Sequence, residues 1–137
     1  MEINRPKVGV SLILKNKDNQ ILVGKRKGSH GEGSWAFPGG HLEFREEPLE
    51  CGLRELEEET GVKKEDVLLC KEIGFTNDIF EKEGKHYITI FLELLIKDNT
   101  KIYNMEPEKC EEWVWKKIED LEEPLFIPVK NYLKKFN

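Results

Sequence analysis

The chain has 137 residues, of which 38% are hydrophobic and 36% charged, and with 11 glycines and 6 prolines it is not a collagenous, low-complexity or disordered sequence. The length fits one domain, predicted over 1–137, and the longest apolar run, 88–96, contains Glu93 and is too short to cross a bilayer, so no membrane partner is expected. A formal net charge of −5 argues against a nucleic-acid-tracking surface, although an acidic chain can still take an anionic ligand through a divalent cation.

In chain order, residues 8–14 and 21–24 are apolar and β-branched and flank a polar, turn-forming stretch, which predicts a β-hairpin. Residues 25–33 contain three glycines and no apolar residue and read as an exposed loop. Residues 35–37 form a short extended piece ended by Pro38-Gly39-Gly40. The strongest helix signal covers 47–60, with Pro48 in its first turn and Gly61 as its stop. Strands are predicted over 67–75 and 87–96, the second central, and a short one over 112–115. A C-terminal helix is predicted over 125–136. The order implies an α/β fold with a mixed sheet covered by helices.

Cys51, Cys70 and Cys110 are odd in number, widely spaced and form no CxxC pair. With no apolar leader in residues 1–7, that pattern predicts a reducing, cytoplasmic setting without disulfides or a zinc site. His30, His41 and His86 are isolated and suggest no metal cluster.

The most informative segment is the acidic helix. On a helical period Glu55, Glu58 and Glu59 share one face about 100° wide, while Leu49, Leu53 and Leu56 form a separate apolar stripe and Glu57 points to solvent. Gly52 falls beside the carboxylates, where it would let another group approach. Like charges four residues apart repel, no lysine occurs between Glu46 and Gly61, and the acids crowd the end of the helix that disfavours negative charge. A bound divalent cation would offset both costs, and carboxylate oxygens suit Mg²⁺ or Mn²⁺. Such a site can bind metal through two carboxylates and use the third as a base for water attack on a phosphoanhydride.

Gly40, Glu46, Arg54, Glu55, Leu56, Glu58, Glu59, Gly61 and Val62 reproduce at every position the pattern Gly-x5-Glu-x7-Arg-Glu-U-x-Glu-Glu-x-Gly-U, where U is a bulky aliphatic residue. Over 40–62 the sequence thus resembles the Nudix box. The resemblance implies a Nudix hydrolase: an α/β/α sandwich with a central mixed sheet, the box forming a loop, helix and loop, and Mg²⁺ or Mn²⁺ as cofactor. It further implies Glu55 and Glu59 as metal ligands, Glu58 as a further metal ligand or the residue orienting water, and one box carboxylate as general base. Arg54 would hold a box glutamate, with Glu46 as its partner. Gly39 would lend a carbonyl to the metal, and Gly40 would permit the tight turn.

Residues 24–29, 38–44 and 106–111 further resemble a MutT-type subgroup acting on oxidised and thiopurine nucleoside triphosphates. This implies conversion of an NTP or dNTP to its monophosphate plus pyrophosphate, a role in nucleotide-pool sanitation, and a homodimer. Arg26 would reach substrate phosphate. Phe37 or Trp35 is a candidate to stack on a base, and Thr89 and Phe126 match positions near the base pocket, where Ile127 and Pro128 replace an aromatic residue and a glycine. Glu93, Glu111 and Glu112 are candidates for an extra carboxylate. Asn77-Asp78-Ile79 stands where many ADP-ribose-cleaving relatives have proline, and Ile79-Phe80 where diadenosine-polyphosphate relatives have tyrosine. The alternatives are hydrolysis of ADP-ribose or a nucleotide sugar, and a non-catalytic nucleotide-sensing module.

Overall fold

The computed structural model describes residues 4–28 and 30–137. The reading of residues 1–7 therefore falls in part, at 1–3, outside the described residues, as does Ser29 of the glycine-rich loop. The elements run β1 (Lys7–Lys15), β2 (Ile21–Arg26), β3 (Trp35–Ala36), β4 (Gly39–His41), α1 (Pro48–Thr60), β5 (Val67–Phe80), β6 (Lys85–Ile96), β7 (Cys110–Lys116) and α2 (Ile127–Phe136).

The strands make one mixed sheet in the order β3-β2-β1-β6-β5, with β4 also on β1 and β7 on β2. β6 lies between β1 and β5, parallel to β1 from Lys7↔Tyr87 to Lys15↔Leu95. Both strands are covered on their two faces, which is why each reads as a nearly continuous apolar run. Val10, Leu12, Leu14, Leu92, Leu94 and Ile96 pack with Cys51 and Leu56 of α1 on one face. Ile13 and Phe91 pack with Val129 and Tyr132 of α2 on the other. The result is the expected α/β/α sandwich. Among the described residues no helix is long and apolar enough to cross a membrane.

Several sequence expectations shift. The predicted hairpin exists at only one register pair, Lys15↔Ile21; beyond it β1 turns to β6 and β4, while β2 turns to β7 and β3. Gly39 and Gly40 do not end the extended segment. They form β4, antiparallel to β1 at Ser11↔Gly39 and Val10↔Gly40. Leu49 is exposed because the first turn of α1 lies outside the packed interface, whereas Leu53 and Leu56 meet the core. Gly52 does not open the carboxylate face: a Cβ there would sit 2.9 Å from Leu12 Cδ2, so its missing side chain lets the helix approach the sheet. Helix α2 begins at Ile127 with Phe126 as its N-cap, and Leu125 instead bridges to Trp35.

Candidate active site

The box loop is built by short-range hydrogen bonds. Glu43 N–H donates to Glu46 Oε1 at 3.0 Å and Glu46 N–H to the Glu43 carbonyl at 3.0 Å. Glu47 N–H donates to Glu50 Oε1 at 2.8 Å, one half of the capping box that starts α1. At the other end Gly61 takes the left-handed conformation, φ 78°, that a helix stop demands. Met105 N–H and Trp113 Nε1–H both donate to the Glu59 carbonyl, at 3.1 and 3.3 Å, fixing the last turn of the helix against β7 and the segment before it.

Arg54 is the hub. Its Nε donates to Glu46 Oε2 at 2.7 Å and Nη2 to Glu46 Oε1 at 3.0 Å, a bidentate pair. Nη1 reaches Glu55 Oε1 at 2.9 Å and Glu58 Oε1 at 3.3 Å. The absence of lysine in the helix is thus partly offset by one arginine shared among acids. The guanidinium holds the Glu46 carboxyl down to about 2, with the Glu43 N–H bond assisting.

Glu59 points inward, accepting the Gly39 N–H at 3.0 Å. Burial raises its carboxyl to about 8 against that hydrogen bond, and Glu55 and Glu106 push it in the same direction as burial. Glu55 is also raised, first by burial and then by Glu58. Gly40 is small for a reason other than a turn: a Cβ there would collide with the Glu55 carboxylate, just as one at Gly39 would collide with the Val10 carbonyl oxygen. Glu58 is the most open of the three, its side chain 48% exposed against 17% for Glu55.

These acids line a cleft of about 520 Å³ together with Arg26, Glu106, Lys109 and Trp113. Glu106 is the carboxylate brought in from outside the box. The sequence offers Glu93, Glu111 and Glu112 for that part instead, and all three stand elsewhere: Glu93 pairs with Lys15 at 2.5 Å beside a different surface cavity, Glu111 pairs with Lys25 at 3.6 Å, and Glu112 is exposed on β7. Long-range proximity of this kind leaves no local trace in sequence.

A second cavity of about 110 Å³ adjoins the first and is lined by Ser11, Thr89, Phe80, Tyr87, Phe126 and Pro128 among others. The two share Arg26, Phe37, Gly39, Gly40 and His41. Arg26 sits at the junction, its guanidinium carbon 4.1 Å from the Phe126 ring centroid and its Nε donating to the His30 carbonyl at 2.8 Å. Phe37 is 7% exposed and packs edge-on against Phe91 and Tyr132, so only part of its ring faces the cavity. Trp35 packs beside the α2 core and does not line either space. Two histidines that stand isolated in sequence come to the site: His41 borders both cavities and lies over Tyr87, and His30 sits edge-on to Phe80 and Phe126 with both ring nitrogens buried and unpaired. Burial raises the Cys51 thiol to about 12, so it is no nucleophile.

The donor set suits a hard divalent cation. Glu55, Glu58, Glu59 and Glu106 supply oxygen only, the donor type such an ion prefers. Among the described residues no three His, Cys, Asp or Glu side chains are gathered in a metal-holding arrangement. Glu55 and Glu58 lean on Arg54 instead, and Gly40 leaves open the space in which the Glu55 carboxylate sits.

The chain matches the NUDIX domain family over residues 5–136. It belongs to the Nudix family. It is 31% identical over 111 residues to m7GpppN-mRNA hydrolase NUDT17 of Xenopus laevis, a match covering 75% of this chain and 36% of that protein. The chain therefore spans about a third of the length of that relative. A MutT NUDIX hydrolase of Burkholderia pseudomallei superposes with a TM-score of 0.84 at 25% identity, covering 98% of this chain and 100% of the other. The NUDIX domain of Shewanella oneidensis NrtR, complexed with ADP ribose, shares the fold with a TM-score of 0.75 at 16% identity, covering 98% and 91%.

Proposed function

We propose that the chain is a nucleoside triphosphate pyrophosphohydrolase, converting an NTP or dNTP to its monophosphate plus pyrophosphate with Mg²⁺ or Mn²⁺. The observation that carries this reading is the junction of two spaces: an aromatic-lined cavity with a few polar groups opens beside a carboxylate cleft, with a cationic Arg26 between them. The smaller space, about 110 Å³, is well below the usual range of whole-ligand sites, so it suits one ring, leaving sugar and phosphates for the larger cleft.

In this reading Glu55 and Glu59 hold the cation, with the Gly39 carbonyl. Bound there, a divalent cation would neutralise phosphate oxygens and acidify a water. Glu58 takes the proton of the attacking water, a role its openness supports, its side chain being 48% exposed. Arg54 and Glu46 act by position, orienting Glu55 and Glu58 through the bonds above. Arg26 binds phosphate as a charged donor, and Phe37, Phe126, Thr89 and Gly40 shape the ring side of the site. The subgroup resemblance supports oxidised or thiopurine nucleotides as substrates. Free Cys51, Cys70 and Cys110 support a reducing cytoplasm, and exposed Leu68, Leu69, Phe75 and Ile79 on the edge strand β5 support a homodimer.

The test is product analysis across the four dNTPs, ADP-ribose and an m7G-capped dinucleotide with Mg²⁺. Pyrophosphate and a monophosphate from at least one dNTP, at the highest kcat/KM of the panel, is the expected result. The second reading, hydrolysis of a cap or other nucleoside diphosphate derivative, rests on the 31% identity to the capped-mRNA hydrolase and on the NrtR domain's ADP ribose complex. Cleavage of either alternative about a hundredfold better than every dNTP would replace the first reading with the second.

A further inference from the structure

Asp78 lies behind the cavity wall formed by Thr89 and has no solvent exposure. Its carboxylate collects three hydrogen bonds: Thr89 Oγ1–H at 2.5 Å and Thr76 Oγ1–H at 3.0 Å on Oδ2, and Asn131 Nδ2–H at 2.7 Å on Oδ1. Among the described residues, none of the ion pairs includes it. A carboxylate buried on neutral donors alone is an expensive way to fill a sheet position, since a neutral side chain would fit there without the desolvation cost. Such a group calls for a reason beyond packing.

The reason lies in proton counting. A threonine hydroxyl has one proton and two lone pairs, and a carboxylate can only accept. With its proton committed to Asp78, Thr89 has only lone pairs left for the cavity. Without Asp78 the same hydroxyl could rotate and donate. The carboxylate also ties down the opposite wall, because Asn131 belongs to α2, whose first turn carries Pro128 and Val129 into the cavity lining.

We infer that Asp78 is a positioning residue that makes Thr89 an acceptor-only hydroxyl, so that the cavity selects rings presenting an N–H at that point. The ligand class is a nucleobase with an amino or imide N–H, an assignment that rests on the reading of this cavity as the ring site of a nucleotide hydrolase. Asp78 acts through Thr89 and not on the reacting phosphate.

The experiment compares wild type, Asp78→Asn, Thr89→Val and Thr89→Ser. Calorimetry measures binding of dGMP, dAMP, dCMP and dTMP, and of the best-bound one with each base N–H removed or methylated in turn. Wild type is expected to lose about tenfold or more in affinity for one such analogue. That ratio should fall to about twofold or less in Asp78→Asn and Thr89→Val and persist in Thr89→Ser. With the matching triphosphate, Asp78→Asn should raise KM about tenfold at nearly unchanged kcat. A ratio retained in Asp78→Asn, or equal weakening of every ligand, overturns the assignment. Should Asp78→Asn fail to fold, the valine and serine variants decide it alone, and a ratio retained in Thr89→Val overturns it. If wild type discriminates among the monophosphates yet releases no pyrophosphate from triphosphates, the proposed reaction fails while this assignment stands. If none of the monophosphates binds, this assignment fails.

Discussion

Glu59→Gln is expected to lower turnover about a thousandfold while making the metal-free protein more stable in mild base. The two effects share one cause. In the folded protein burial holds the Glu59 carboxyl at about 8, far above its ordinary value of 4.5. The folded state therefore keeps a proton that the unfolded chain releases. Stability from this group is complete below about pH 4.5 and drains away as pH rises toward 8. Glutamine can still accept the Gly39 N–H, has no charge to desolvate, and removes that loss. Thermal melts from pH 5 to 8.5 without metal should show the variant pulling ahead of wild type as pH rises. Added Mg²⁺ should stabilise wild type and leave the variant nearly unmoved. Glu58→Gln should also cut turnover steeply, with little change in stability because the Glu58 side chain is about half exposed and its contact with Arg54 is long, at 3.3 Å. Near-normal turnover in both variants would remove these carboxylates from the chemistry.

Gly40→Ala is the second large effect. The added methyl group would occupy the space of the Glu55 carboxylate, which must then move away from the cleft. Displacements near 1 Å in a reacting constellation cost about a hundredfold, so kcat/KM should fall by about that factor. The Mg²⁺ concentration for half-maximal rate should rise with it. Activity within threefold of the parent would mean that the position of Glu55 does not matter. Because Arg54 holds Glu55 on one side and Gly40 leaves room on the other, the loop and the helix set this carboxylate jointly.

The parts of the protein legible in sequence were those governed by local rules. Helix α1 announced itself through Pro48, the acid run and Gly61, and the three carboxylates fall together because helical spacing alone decides it. β6 was legible as a central strand because burial on both faces demands an unbroken apolar run. The sequence signal for β5 stops at Phe75 because the second half of the strand inverts the usual pattern. Thr76 and Asp78 point inward while Ile79 points out, and the buried polar residues are satisfied by partners on β6 and α2. β4 looked like a strand-breaker because glycine there serves close approach to Val10 and Glu55, a need that arises only after β1 and α1 have met. Glu106, His41 and Asp78 acquire their positions through contacts more distant in sequence than any motif spans.

The most direct measurement is a Mn²⁺ titration followed by electron paramagnetic resonance of the free ion, on wild type and on the Glu55→Gln, Glu59→Gln double variant, each with and without a non-hydrolysable triphosphate analogue. Wild type should take up Mn²⁺ saturably and more tightly when the analogue is present, and the double variant should lose at least a hundredfold in affinity under both conditions. Equal uptake by the two proteins would show that the ion sits elsewhere and that the carboxylate helix serves another purpose.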